Sequence, residues 1–185
     1  MQRALWRPLR RRNHMHVFQD LDINDTEFNP FKMIGQDWAA LVSEAGDKTN
    51  ATTVRWGGFG VLWDKNVATV YIRNTRYTKE LLDAGEYFSL TFFNPDQPKY
   101  KSALKYMKMA SGRVEDKIKA AGLTLAHRDG IPYIDDGSTI VICRTLASFD
   151  MPADHVRTPL IREQFFADGT ERTMYVGEIK GLFAR

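Results

Sequence analysis

The residues of this chain best suited to chemistry are cationic and hydroxylic, and they fall into three short groups. Arg76-Tyr77-Thr78 opens a segment that continues as Lys79-Glu80-Leu81-Leu82, the start of a helix. A helix N-terminus presents unpaired N–H groups and a partial positive charge, so it favours an anion. Arg76 and Thr78 would add a charge-assisted and a hydroxyl hydrogen bond to a phosphate, and Arg73 ends the preceding run within reach of the same place. A solvated helix end with ordinary surface arginines fits the pattern too. The second group, Asn50 to Trp56, carries Thr52 and Thr53, whose hydroxyls and backbone suit the carbonyl and ring-nitrogen edge of a flat heterocycle. Trp56 would pack on such a ring or fill the core. Taken alone, a threonine-rich hairpin strand explains this group better. The third group is Ser111-Gly112-Arg113 with Lys117, suited to a second phosphate or a polyol contact, and equally to a plain loop.

Other chemistries find little support. His14 and His16 lie in or beside a basic leader, while His127 and His155 are isolated, so no ligand spacing for a metal exists. No nucleophile elbow, phosphate loop or dinucleotide glycine fingerprint occurs. Asp135-Asp136 reads as a hairpin turn rather than a catalytic carboxylate pair. The single cysteine, Cys143, stands in the apolar run Ile140-Val141-Ile142 and reads as a small buried residue. No catalytic side chain is expected.

Elements to position the three groups can be read from periodicity. Residues 38–45 and 49–56 form a hairpin about Gly46-Asp47-Lys48. Gly57, Gly58 and Gly60 then interrupt the pattern, which suits a bend or a close approach. Residues 67–73 alternate, with Ala68, Val70 and Ile72 on the apolar face. Asn74 or Thr75 caps the following helix and Gly85 ends it. A strand over 87–93, helices over 100–109 and 114–121, and strands over 123–134 and 139–150 follow. A short helix at 159–166 and a strand at 174–183 close the chain. About seven strands, three or four short helices and no βαβ rhythm predict an antiparallel sheet closed into a barrel.

A length of 185 residues predicts one domain. Its 43% hydrophobic and 26% charged content exclude a disordered or membrane-spanning chain. The net charge of +3 comes from residues 1–14, which hold five arginines and no acid; the 26 basic residues less those five leave 21 against 23 acidic, or −2. The folded part is therefore no nucleic-acid platform. Residues 1–14 read as a basic, disordered extension ahead of a domain over 15–185, with a transit peptide or nucleic-acid arm as alternatives. One cysteine fits a reducing compartment, so a cytoplasmic location is expected, away from membranes.

Several blocks together resemble the flavin reductase-like, flavoredoxin-type proteins. They are Asn50-Ala51-Thr52-Thr53 with Trp56-Gly57-Gly58, then Val70-Tyr71-Ile72-Arg73 with Arg76-Tyr77-Thr78-Lys79-Glu80, then Ser111-Gly112-Arg113 with Asp116-Lys117, and finally Met174-Tyr175-Val176-Gly177-Glu178-Ile179. The likeness runs from about Met15 to the C-terminus. It implies a mainly β, antiparallel Greek-key split barrel that dimerises and binds FMN near the subunit interface. Asn50, Thr52 and Thr53, with Trp56 nearby, are implied at the isoalloxazine. Arg73, Arg76, Tyr77 and Thr78 are implied at the phosphate, and Ser111, Gly112 and Lys117 at weaker contacts. Arg55 stands where a small or hydroxyl residue is common in relatives. The implied activity is an FMN-dependent NAD(P)H oxidoreductase passing electrons onward, with a redox partner protein conceivable. The alternatives are a flavoredoxin-like carrier without its own nicotinamide turnover, or a non-enzymatic binding protein that uses the arginine-rich arm.

Overall fold

The computed structural model describes residues 16–185. The reading of residues 1–14 as disordered lies outside that range. Among the described residues ten strands form: β1 (Gln19–Asp20), β2 (Ala39–Ala45), β3 (Lys48–Val54), β4 (Gly57–Leu62), β5 (Lys65–Arg73), β6 (Tyr87–Phe92), β7 (Leu125–Arg128), β8 (Ile131–Ile134), β9 (Thr139–Met151) and β10 (Arg172–Ala184). The main sheet is antiparallel, in the order β3-β2-β6-β9-β10-β5-β4, with β1 beside β10. The hairpin pairs β2-β3, β4-β5 and β9-β10 stay adjacent, while β6 lies between β2 and β9 and β10 lies beside β5, so strands distant in sequence are neighbours, which is the Greek-key pattern. Contacts between β3 and β5 bring the two ends of the sheet together as a split barrel.

Five helices decorate it: α1 (Pro30–Lys32, continuing as a wide turn to Asp37), α2 (Tyr77–Ala84), α3 (Pro98–Met109), α4 (Lys117–Ala120) and α5 (Pro159–Phe166). Side-chain alternation decides what each face meets. On β2, Ala39 and Leu41 enter the barrel core with Val70, Phe88, Leu90, Val141 and Tyr175. Ala40 and Val42, on the other face, meet Leu104 and Met107 of α3 and Ile118 of α4. β2 is thus buried on both faces, and α3 is held directly behind β3. On β5, Ala68, Val70 and Ile72 are buried as their alternation predicts.

Cys143 is fully buried in the barrel core, and burial pushes its thiol well above the ordinary value. The native protein should therefore give no measurable reaction with a thiol reagent in minutes, and one thiol per chain after denaturation. Prompt native labelling would overturn this placement.

Four local expectations need correction. Residues 57–62 form an edge strand paired with β5 rather than a bend, while the alternative of a close approach holds at Gly57, where a Cβ would collide with the Thr69 carbonyl; Val61 is exposed and the turn Trp63-Asp64 carries positive φ at both residues. Residues 123–134 are a β7–β8 hairpin about Asp129-Gly130, both of positive φ, where one strand was expected. Asp135-Asp136 is not a hairpin turn, because β8 pairs with β7 whereas β9 pairs with β6 and β10. These carboxylates instead fasten chain segments: Asp135 accepts from the His16 backbone N–H and contacts its ring Nδ1 at 2.8 Å, and Asp136 accepts from the Thr124 N–H. Finally, neither Asn74 nor Thr75 caps α2. Arg76 holds the cap position with extended backbone and no side-chain cap bond, and Asn74 accepts from Thr173 instead.

Candidate functional site

Two adjoining cavities lie where β3, β5 and the start of α2 meet the far end of α3. The larger, about 340 Å³, is lined by Thr52, Thr53 and Trp56 from β3 and its exit, Tyr71 and Arg73 from β5, and Arg76. The smaller, about 90 Å³, is lined by Asn50, Arg76, Tyr77, Thr78, Ser111, Gly112 and Lys117, among others. All eleven residues singled out in the sequence therefore border one or the other. Arg76 borders both.

The smaller cavity is cationic and tightly built. Lys117 is 3% exposed and donates to the Met107 carbonyl at 3.1 Å, with two of its three N–H donors unspent by side-chain bonds to the protein. Burial, and then the neighbouring Arg76, lower its ammonium to about 8. Asn50 Nδ2 donates to Thr78 Oγ1 at 2.8 Å, which ties β3 to the first turn of α2. Gly112 closes over this bond, and a Cβ there would lie 2.0 Å from Asn50 Oδ1. Arg113 crosses the Tyr77 ring and pairs with Glu80. Its charge is thereby spent on α2, and Arg76 and Lys117 have no carboxylate partner among the described residues.

The larger cavity is walled by aromatics and arginines. Thr53 donates to the Leu104 carbonyl in α3, so its hydroxyl is already engaged. Trp56 meets Phe165 of α5 edge to face at 5.2 Å. It is thus part of the wall, neither free nor fully core. Arg76 donates to the Lys108 carbonyl at 2.7 Å, and burial followed by the nearby Arg73 lowers its guanidinium. Arg73 borders the larger cavity, not the smaller, and pairs with Asp168 at 3.3 Å.

Among the lining residues that sequence reasoning did not single out are Lys108, Phe165 and Arg172 of the larger cavity. Arg172 reaches the site because β10 pairs with β5 in the register that sets it opposite Arg73. Such long-range registry leaves no local signal. A lysine near the end of α3 was visible, but only the packing of α3 behind β3 aims it here.

Residues of these types fit a flat ligand bearing one anion. The small cavity supplies a desolvated ammonium with unspent donors and a helix start of eight residues. The large one supplies aromatic walls of a size suited to a ring system.

The sequence profile of the flavin reductase like domain matches residues 38–179. None of the curated protein sequences compared matches. Among solved structures, flavoredoxin from Methanosarcina acetivorans is 18% identical, covering 90% of this chain and 76% of its own, with a TM-score of 0.63. An FMN-binding protein from Thermus thermophilus, with bound p-hydroxybenzaldehyde, is 19% identical over 80% and 71% of the two chains, TM-score 0.61. An NADH:FAD oxidoreductase of Streptomyces globisporus, in complex with NAD and FAD fragments, is 12% identical over 80% and 75%, TM-score 0.59. These likenesses define a protein of the split-barrel class. The profile match covers most of the sequence, and the chain belongs to the flavin reductase-like domain family.

Proposed function

We propose that this chain binds FMN across the two cavities and acts as an NAD(P)H-dependent oxidoreductase of the flavin reductase type. The carrying observation is that Arg76 borders both cavities, so one ligand can have its ring in one and its phosphate in the other. Bound flavin would supply the electron chemistry, taking hydride from a nicotinamide and handing electrons onward. The protein's own residues bind and orient. Lys117, Arg76, the α2 start, Thr78 and Ser111 hold the phosphate. Thr52, Thr53 and Trp56 border the ring, with Arg76 adding positive charge beside it. Asn50 and Gly112 set the distance between the two ends by locking β3 to α2. No nucleophile is called for. A homodimer in the cytoplasm, with the site near the subunit boundary, belongs to the same reading.

Visible absorption on FMN titration tests this directly. The full-length protein should shift and sharpen the flavin bands, with riboflavin bound more weakly for want of a phosphate. Arg76→Ala should weaken FMN by about 1–2 kcal/mol, the loss of a half-buried charged hydrogen bond. Unchanged affinity would remove Arg76 from the site. Turnover of NADH or NADPH by the FMN-loaded protein separates a reductase from a flavoredoxin-like carrier.

A further inference from the structure

Arg172 does more than wall the larger cavity. It is 3% exposed, and its guanidinium lies between two aromatic rings, 4.7 Å from the Trp56 centroid and 4.9 Å from that of Phe166. Nη1 donates to the Phe165 carbonyl at 2.9 Å, while Nη2 is buried with no partner among the described residues. A buried guanidinium N–H without an acceptor is a standing cost that folding normally removes. Arg73 sits opposite it across the β5–β10 pair; burial, and then the nearby Arg73, lower the Arg172 guanidinium. Of the five cationic side chains on this cavity (Arg55, Arg73, Arg76, Lys108, Arg172), only Arg73 has a carboxylate partner among the described residues, Asp168. Charge and an orphan donor are thus concentrated at the β5–β10 wall, away from the small cavity, which neither Arg73 nor Arg172 borders.

We propose that Arg172 and Arg73 form a second anion subsite, which takes the carboxylate or phosphate group of the molecule that exchanges electrons with the flavin. A planar guanidinium pre-set between two rings offers an oxyanion a fork of fixed geometry, and its desolvated setting strengthens the contact. The aromatic neighbours Trp56, Tyr71 and Phe165 would flank the body of that molecule. The subsite selects against neutral substrates, because an uncharged analogue leaves the Arg172 guanidinium without a counter-charge and its Nη2 without an acceptor. This rests on the reading that the flavin ring occupies the larger cavity and its phosphate the smaller.

Calorimetric titration of the full chain decides it, using benzoate and inorganic phosphate as probes in chloride-only buffer. Both the FMN-free and the FMN-loaded protein are titrated, for the wild type, Arg172→Gln and Arg172→Lys. The expected result is that Arg172→Gln weakens the preferred anion at least about tenfold, whereas Arg172→Lys weakens it a few-fold. FMN affinity should stay within about threefold in both variants. Preference for benzoate assigns a carboxylate substrate, and preference for phosphate assigns a phosphate ester. Equal anion binding by wild type and Arg172→Gln overturns the proposal, as does absence of binding to both forms of the wild type. Should Arg172→Gln loosen FMN tenfold and riboflavin not at all, the guanidinium serves the flavin's own phosphate and no second subsite exists. A wild type that binds no FMN defeats the cofactor reading, and the FMN-free titration still settles the anion subsite.

Discussion

Lys117→Met is expected to cut FMN affinity by about 2–3 kcal/mol, roughly 30- to 150-fold, with little effect on riboflavin. The reason is where the ammonium stands: 3% exposed, beside Arg76, spending one donor on a carbonyl. Holding such a charge costs folding free energy, and removing it leaves only the Met107 carbonyl short of a partner. The thermal midpoint should therefore hold or rise while binding falls. Acidity gives a second signature. The ammonium is lowered from 10.5 to about 8, so free protein loses this charge as pH rises through 8. The sign for stability follows: the unfolded chain holds the proton that the folded chain has released, so the Lys117 contribution to stability increases between about pH 8 and 10.5. For binding the sign is opposite. A phosphate monoester is dianionic above about pH 6 and favours the charged lysine, so FMN affinity should be flat from pH 7 to 7.5 and decline above 8. Lys117→Met should abolish that decline. A variant with wild-type affinity and an unchanged profile would place the phosphate elsewhere.

Gly112→Ala should damage both stability and binding. The added Cβ would sit 2.0 Å from Asn50 Oδ1 and 2.6 Å from Asn50 Cγ. Either the 110–116 loop lifts away or Asn50 turns and gives up its bond to Thr78. Overpacking of about 1–3 kcal/mol plus the lost hydrogen bond of about 1 kcal/mol should lower the thermal midpoint by about 5–10 °C. FMN binding should fall at least tenfold, because Asn50 and Gly112 set the spacing of the two ends. Asn50→Ala in the same background should recover part of the stability, since the colliding amide is gone. If Gly112→Ala melts and binds as wild type, the loop does not close on Asn50.

Much of the site was legible because its parts are local. A threonine-rich strand, an Arg-x-Thr at a helix start and a Ser-Gly-Arg loop each carry their own sequence signal, and the backbone gathers them at two adjoining cavities. What stayed hidden depends on pairing between distant segments. Arg172 meets Arg73 only through the β5–β10 register, and Thr53 finds the Leu104 carbonyl only because α3 lies behind β3. The glycines at 57, 58 and 60 marked a close backbone approach at Gly57 but misled as to a bend. Glycine disfavours a strand on its own, but an edge strand paired on one side tolerates it. The Asp129-Gly130 hairpin is a case where the signal was present, since that dipeptide is among the strongest markers of a tight β-turn.

The chain between β9 and β10 carries α5, and from it Phe165 and Phe166 lean over Trp56 and Arg172. It leaves and re-enters the sheet at paired positions, Met151 and Arg172. That makes it a self-contained panel on the ligand chamber. Insertions, deletions or whole exchanges between those two positions can reshape the larger cavity while β3, α2 and the smaller cavity stay as they are. Diversification by swapping one panel, with the rest of the wall kept constant, is the evolutionary route this architecture leaves open.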